Sequence, residues 1–209
     1  MISGLHHYAL EVPDLEVAEG FLQDFGLETA ERTGRWSLGV PAVTRSRCGS
    51  SRRRPAPQRL GHSLLFTARP QQMTDFYTQV LGLRVSDTIH GLVTFLNAGA
   101  GDHHVFGFIA STHRGFHHAS FEVPSIDAIA VGADRMRAKG RDAGWGIGRH
   151  TIGSNFFHYS PDPWGSWIEW FSDIDQIDDC WVANDWDVPP HLWGAPPPET
   201  FLTNREPQS

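Results

Sequence analysis

Three stretches of the chain share one pattern of apolar and polar positions. Each opens with a short apolar run, passes through a proline or a polar cap, and becomes an amphipathic segment that ends at glycine. The stretches begin at His6, Gly61 and His117. Proline and small polar residues favour helix starts and glycine favours helix ends, so each stretch predicts a strand followed by a helix.

The second and third stretches continue beyond the helix into further strand-like runs separated by turn residues. Each complete unit is therefore βαβββ, and we expect an α+β fold in which repeated modules form a half-open barrel of mixed sheet. The predicted strands are Leu83–Ile89, Leu92–Asn97 and His103–Ala110 in the second unit, and Gly146–Ile152, Asn155–Ser160 and Ser166–Ser172 in the third.

The first stretch is incomplete, which divides the chain into four regions. Residues 1–43 predict a truncated βα(β) module, 44–59 a linker rich in Arg, Pro and Ser, 60–173 a domain of two βαβββ modules, and 174–209 a tail rich in Trp and Pro. The basic run Arg45–Arg59 also suits an interaction arm. A solvated linker is favoured, because the run contains no aromatic residues and the chain is acidic overall.

The composition narrows the classes of function. The 209 residues are 40% hydrophobic with a formal net charge of −7, which suits a globular core and argues against a nucleic-acid partner. Cys48 and Cys180 cannot build a disulfide framework, and the first residues lack signal-peptide features, so we expect a cytoplasmic protein. No apolar run reaches membrane-spanning length, so no membrane partner is expected. The 12 histidines are an unusual count, and histidine is the common metal ligand and acid/base residue.

Two of these histidines and one carboxylate have the pattern of a metal site. The repeat aligns His62 with His118, each at the start of the first strand of its unit. Glu169 interrupts the otherwise apolar run WIEWF, and a lone carboxylate is costly to bury unless it is paired or binds a metal. Two histidines and one carboxylate on three strands form the 2-His-1-carboxylate triad of non-haem Fe(II) sites. We therefore expect the barrel to surround a metal.

These residues resemble the type I extradiol ring-cleavage dioxygenases of the vicinal oxygen chelate superfamily, and among them the metapyrocatechase (catechol 2,3-dioxygenase) type. The resemblance runs from about Leu60 to Asp175, with a weaker match over residues 4–31. The ligand positions of that family are matched by His62, His118 and Glu169. The resemblance implies an Fe(II) cofactor, with Mn(II) as the alternative.

Three further residues are assigned by the resemblance. It implies an acid/base histidine at His103, fifteen positions before His118, and substrate-binding groups at His150 and Tyr159. The choice between His103 and His104 stays open, because alternation along a strand turns one of them inward and a one-residue bulge would exchange them. His150 could instead cap a strand, and Tyr159 could be an ordinary core residue.

The activity implied by the resemblance is insertion of both atoms of O₂ into a catechol-type substrate. Meta ring cleavage would give a 2-hydroxymuconic semialdehyde-type product, in the degradation of aromatic compounds. The expected partners are a small aromatic diol and O₂. Two alternatives stay open: a glyoxalase-type metal-dependent isomerase or lyase, which would require a fourth protein ligand, and a non-catalytic ligand-binding member of the superfamily, which would need no metal.

The remaining paired histidines are not expected to bind the metal. His117 precedes a ligand on the same strand and should point away from the metal. His6 and His7 lie in the incomplete first unit, which offers no glutamate matching Glu169.

The tail and the incomplete first module predict a homo-oligomer. Trp181, Trp186 and Trp193 would expose much apolar area if they were unpacked. A half-built module would also leave an open sheet edge, which invites pairing. The alternative is a monomer whose tail folds back over its own edge.

Overall fold

The helices and strands follow the order of the repeat. The structure is a computed structural model that describes residues 4–32, 36–39, 56–141 and 143–203. The helices are α1 (Leu15–Phe25), α2 (Pro70–Gln79) and α3 (Ile126–Ala138). The strands are β1 (Glu28–Arg32), β2 (Trp36–Gly39), β3 (Arg59–Thr67), β4 (Arg84–Ile89), β5 (Val93–Asn97), β6 (Gly101–Asp102), β7 (Phe106–Ala110), β8 (Gly115–Glu122), β9 (Trp145–His150), β10 (Phe156–Pro161), β11 (Trp167–Ser172), β12 (Gln176–Ile177), β13 (Asn184–Trp186) and β14 (His191–Trp193).

The second and third modules join into one ten-stranded mixed sheet. Its order is β13-β4-β5-β7-β3-β8-β11-β10-β9-β14. Strands β3 and β8 pair antiparallel at the centre, and the last strand of each module, β7 or β11, lies parallel beside the first strand of that module. The predicted α+β class is confirmed, and the two modules are arranged symmetrically about the β3–β8 pair.

The helix ends follow the capping signals in the sequence. The Asp14 carboxylate accepts hydrogen bonds from the backbone N–H groups at the start of α1, and Ser125 caps α3 in the same way. Pro70 occupies the first turn of α2. Helix α1 ends at Gly26, whose φ of 114° is favourable only for glycine.

The main core lies between helices α1 and α3 and the strands of the third module. The ring of Phe25 stacks on the indole of Trp170 with ring centroids 4.1 Å apart. A Cβ at Gly132 of α3 would lie 3.0 Å from that indole, so glycine permits the close approach of helix and sheet. Trp170 faces the helices. Because side chains alternate along a strand, the neighbouring Glu169 faces the opposite side of the sheet.

The first module differs from the prediction at its beginning. Residues 4–13 form no strand, and His6 and His7 are exposed. Between α1 and β3, the described residues form only the separate antiparallel pair β1–β2. The strand predicted at His6 is therefore wrong. A strand needs a neighbouring backbone to pair with, and no described strand pairs with these residues. Most of the linker predicted over 44–59 lies outside the described residues.

The tail forms both edges of the large sheet. Strand β13 pairs parallel with β4, and β14 pairs antiparallel with β9. The Trp181 indole donates a hydrogen bond to the Ser86 carbonyl at 2.8 Å. The described part of the tail thus pairs with the sheet of its own chain. Nevertheless Trp181, Trp186 and Trp193 remain 38%, 38% and 45% exposed. The helices in the described part of the chain are too short and polar to cross a membrane.

Candidate metal centre

Three neighbouring strands carry the predicted ligands on one face of the sheet. His62 lies on β3, His118 on β8 and Glu169 on β11, and these strands are adjacent at its centre. The register places Ser120 opposite both His62 and Glu169, and His118 is two residues from Ser120, so the three side chains share a face. Their ligand atoms lie within 4.8 Å of one another, and no side chain of the three is more than 3% exposed.

The Glu169 carboxylate links the two histidines. Its Oε2 atom lies 3.0 Å from Nε2 of His62 and 3.6 Å from Nε2 of His118. Burial would raise the pKa of the Glu169 carboxyl, but the nearby His150 and His62 rings outweigh burial and hold that pKa below its usual range. Burial also holds the pKa of His118 well below its ordinary value. The site thus combines an ionised carboxylate with a neutral imidazole, the protonation states that metal ligands require.

This donor set fits a divalent metal. Nε2 of His118 is buried and has no hydrogen-bond partner among the described residues. An unsatisfied buried polar atom costs free energy, and a metal bound between His62, His118 and Glu169 would remove that cost by accepting the lone pair. In the parts of the chain that the structure describes, these three residues form the one group of His, Cys, Asp or Glu with metal-binding geometry.

His117 contacts the candidate ligand that follows it, His118. Its Nε2 lies 2.7 Å from the Phe201 carbonyl, and its Nδ1 lies 2.6 Å from Nδ1 of His118. Burial lowers the pKa of His117 to about 4, so the ring is neutral near pH 7. A carbonyl only accepts, so Nε2 of His117 carries the hydrogen and Nδ1 of His117 accepts from Nδ1 of His118. That bond leaves Nε2 of His118 with a free lone pair.

The pair His103–His104 differs from the sequence prediction. The strand predicted from His103 begins only at Phe106, so alternation along a strand does not decide between the two histidines. His104 packs against His62 with ring centroids 4.4 Å apart. His103 turns the other way, and its Nε2 lies 2.8 Å from Oδ2 of Asp87. The histidine beside the candidate ligands is therefore His104.

The tail holds the backbone of this pair. The His103 N–H donates to the Asp175 carbonyl at 2.8 Å, and the His103 carbonyl accepts a hydrogen bond from the Ser86 hydroxyl. The chain bends at His103, before β7 begins. Burial lowers the pKa of His103 in spite of its carboxylate partner, and burial holds the pKa of His104 well below its ordinary value. Both rings are thus neutral.

His150 and Tyr159 lie beside the other oxygen of Glu169. Nε2 of His150 is 3.7 Å from Oε1 of Glu169 and 3.0 Å from the Tyr159 hydroxyl. Nδ1 of His150 lies 2.9 Å from the Pro190 carbonyl, which only accepts, so Nδ1 carries a hydrogen. Burial holds the pKa of Tyr159 well above its ordinary value, which keeps this hydroxyl protonated.

Sequence reasoning missed two buried polar residues, Asn155 in the site and Asp87 beside it. Asn155 is fully buried, and its Nδ2 donates to Oε1 of Glu169 at 3.4 Å. It lies in a stretch whose sequence pattern indicates only the start of a strand. Asp87 is a buried carboxylate on β4, a strand with only two buried residues. Its neighbours Ser86 and Thr88 are polar, so Asp87 does not stand out in the sequence as one charge in an apolar run, as Glu169 does.

The second module has no counterpart of Glu169. Gly107 is the equivalent of Glu169 in the second module: its position in the β3–β7 pair matches the position of Glu169 in the β8–β11 pair. A Cβ at Gly107 would lie 2.9 Å from the Thr94 carbonyl oxygen, so the position excludes any larger side chain. The symmetry of the two modules therefore does not extend to a second carboxylate.

The sequence is similar to that of a known superfamily and of ring-cleaving enzymes. Residues 59–170 match the Glyoxalase/Bleomycin resistance protein/Dioxygenase superfamily. The chain is 42% identical over 170 residues to metapyrocatechase 2 of Cupriavidus necator, covering 79% of this chain and 52% of that protein. It is 30% identical over 146 residues to biphenyl-2,3-diol 1,2-dioxygenase of Metapseudomonas furukawaii, covering 66% of this chain and 47% of that protein. The chain spans about half the length of these curated relatives.

Solved structures share the fold. The Mn(II)-bound glyoxalase from Novosphingobium aromaticivorans has a TM-score of 0.65 and 32% identity, covering 69% of this chain and 50% of that chain. A halotolerant catechol dioxygenase has a TM-score of 0.60 and 27% identity, covering 66% of this chain and 47% of that chain.

Proposed function

The chain belongs to the Glyoxalase/Bleomycin resistance protein/Dioxygenase superfamily, and from that premise we propose that it is an Fe(II)-dependent extradiol dioxygenase. It inserts both atoms of O₂ into a catechol-type substrate and opens the ring beside the two hydroxyls, in the degradation of aromatic compounds. The observation that carries this proposal is the buried His62–His118–Glu169 group with His104 packed against it.

His62, His118 and Glu169 would hold the metal, Fe(II) or alternatively Mn(II). A divalent metal held by these three residues would keep coordination positions open and would bring the catechol and O₂ together. The neutral imidazoles and the single carboxylate leave a net positive charge on a divalent metal. That charge favours binding of the catechol as an anion.

The other residues would handle protons and orient the substrate. His104 lies against a ligand ring and is buried and neutral, which suits it to take a proton from a catechol hydroxyl and return it later. His150 and Tyr159, beside Oε1 of Glu169, would hydrogen-bond the substrate oxygens and hold them in position. In this assignment His104 replaces His103 as the acid/base residue.

Oxygen uptake with a catechol tests the proposal. The purified chain, loaded anaerobically with Fe(II), is mixed with catechol or 3-methylcatechol and exposed to O₂. We expect stoichiometric O₂ uptake and a yellow ring-fission product. The Glu169→Gln variant, prepared in the same way, is the control and should remain colourless. An ortho-cleavage product, or no O₂ uptake across a panel of catechols, would count against the extradiol assignment.

A glyoxalase-type isomerase is the second candidate, favoured by the similarity to the Mn(II)-bound glyoxalase structure. This function would require a fourth protein ligand, and the symmetric position for a second carboxylate is Gly107. Turnover of a hemithioacetal by the Mn(II)-loaded chain, without O₂ uptake on catechols, would select this candidate over the dioxygenase.

A further inference from the structure

Asp87 is a buried carboxylate outside the candidate metal centre. It lies on β4 and is 3% exposed. Its Oδ1 accepts the backbone N–H of Asn184 at 2.7 Å, and its Oδ2 lies 2.8 Å from Nε2 of His103. Asn184 begins the tail strand β13, and the tail residue Trp181 covers the His103 ring with ring centroids 5.3 Å apart. The carboxylate is thus held from two sides in a fixed orientation.

The contacts of Asp87 determine the hydrogens on two histidines. An ionised carboxylate only accepts, so Nε2 of His103 must donate to it. A neutral imidazole carries one N–H, so Nδ1 of His103 is an acceptor. Nδ1 of His103 lies 3.0 Å from Nδ1 of His104, which must therefore carry the hydrogen of that ring. By the same rule, Nε2 of His104 is left without hydrogen.

We propose that Asp87 and His103 are positioning residues that keep His104 in the tautomer with hydrogen on Nδ1 and a free lone pair on Nε2. The catalytic role of this tautomer rests on the proposed dioxygenase function. The opposite tautomer would present an N–H to the substrate hydroxyl and could not accept its proton.

The chain of contacts also stabilises the charge that forms on His104. When Nε2 accepts the proton of a catechol hydroxyl, the O–H bond breaks, the N–H bond forms, and the ring becomes an imidazolium. Its Nδ1–H donates to His103, whose Nε2–H donates to the Asp87 carboxylate, so a full negative charge lies two hydrogen bonds away. The proton on Nε2 then returns to oxygen later in the reaction, and His104 recovers its starting tautomer.

The tautomers can be measured without turnover. Long-range ¹H–¹⁵N correlation spectra of the full chain, loaded with diamagnetic Zn(II), distinguish imidazoles with hydrogen on Nδ1 from those with hydrogen on Nε2. The His103→Asn and His104→Asn variants assign the two rings. We expect hydrogen on Nε2 of His103 and on Nδ1 of His104. Hydrogen on Nε2 of His104 overturns the proposal.

Matched substitutions test the catalytic consequence in the Fe(II)-loaded chain. In Asp87→Asn the side-chain oxygen can still accept the hydrogen bond from the Asn184 N–H, while the side-chain NH₂ group donates to Nε2 of His103. That donation reverses the tautomers of both His103 and His104. We expect kcat to fall about 10–100-fold while KM for catechol changes less than about threefold. Asp185→Asn, an exposed carboxylate on the same tail strand, is the control and should retain wild-type kcat.

Variants of His103 separate positioning from packing. His103→Asn keeps an acceptor near Nδ1 of His104 and should retain most of kcat, whereas His103→Leu removes that acceptor and should resemble Asp87→Asn. Equal kcat in His103→Asn and His103→Leu overturns the proposal, even if Asp87→Asn does not fold. If the spectra show the expected tautomers but the chain cleaves no catechol, the positioning stands and the proposed function fails. If the chain cleaves catechol with hydrogen on Nε2 of His104, the proposed function stands and the positioning fails.

Discussion

A single oxygen of Glu169 faces both candidate histidine ligands: Oε2 lies 3.0 Å from Nε2 of His62 and 3.6 Å from Nε2 of His118. Glu169→Gln keeps the size of the side chain but removes its charge, so we expect metal content to fall from about one ion per chain to near zero. Glu122→Gln, on neighbouring β8, is the control. Elemental analysis after anaerobic loading with Fe(II) measures the result. Full occupancy in Glu169→Gln would remove this residue from the ligand set.

The contact between His117 and His118 predicts a difference between two similar substitutions. His117→Asn keeps an acceptor close to the position of Nδ1, whereas His117→Gln keeps only a group near Nε2 that can reach the Phe201 carbonyl. We expect His117→Gln to weaken Zn(II) affinity about 10–100-fold and His117→Asn to weaken it much less. Competition with a chelating dye measures both. Equal losses would mean that His117 only fills space.

Replacing the histidine beside the ligands should separate chemistry from coordination. We expect His104→Phe to bind iron and catechol but to lower kcat about 10²–10⁴-fold, because the lesion is in proton transfer. His103→Phe should have a smaller effect, since that ring acts only through His104. Steady-state kinetics, with the metal content measured in each sample, show which of the two variants loses more kcat. A larger loss in His103→Phe would return the acid/base role to His103.

His158 makes the stability of the protein depend on pH. Burial, with a contribution from Arg137, lowers the pKa of His158 from 6.5 to about 4. The unfolded chain therefore binds this proton more readily, and stability present above pH 6.5 is lost as pH falls toward 4, by roughly 3 kcal/mol for a shift of this size. We expect the free energy of unfolding of His158→Leu to depend less steeply on pH over this range.

The wild type and the Phe156→Leu variant are the controls for that measurement. Phe156 lies on the same strand as His158, and its replacement removes no titratable group, so the pH dependence of unfolding should keep the wild-type slope. Denaturant titrations at a series of pH values under identical metal conditions give the slopes. A wild-type slope in His158→Leu would show that this histidine is not the group responsible.

The exposed tryptophans of the tail bear on the predicted homo-oligomer. Trp181, Trp186 and Trp193 each stay more than a third exposed after the tail has paired with its own sheet. A second copy of the chain that covers them would bury apolar area. Sedimentation across a tenfold dilution measures the assembly. A single species of monomer mass at every concentration would leave the monomer alternative.

Local sequence patterns were sufficient to predict much of the fold and to name the candidate ligands. Strand and helix periodicity and helix caps depend on residues close together in the chain, so the βαβββ order of the two complete modules could be predicted. The three candidate ligands could be named because the repeat aligns His62 with His118 and because Glu169 is a charge inside an apolar strand.

What the sequence could not predict depends on distant contacts. The run at His6 has the composition of a strand, but it has no described neighbour with which to pair. The orientation of His103 and His104 depends on a hydrogen bond to Asp175 in the tail. No local sequence pattern indicates where the Asp175 carbonyl lies.

The two edge strands supplied by the tail have a consequence for folding. Strand β13 pairs with β4 through Asn184 and Asp87, which are 97 residues apart in the chain. Such a pairing has a high contact order and forms slowly. During synthesis the eight inner strands all emerge before the tail, and the edges at β4 and β9 remain unpaired until the tail has left the ribosome. A nascent chain with two bare edges is prone to aggregate, so we expect the yield of native protein to depend on chaperones that shield those edges until the tail arrives.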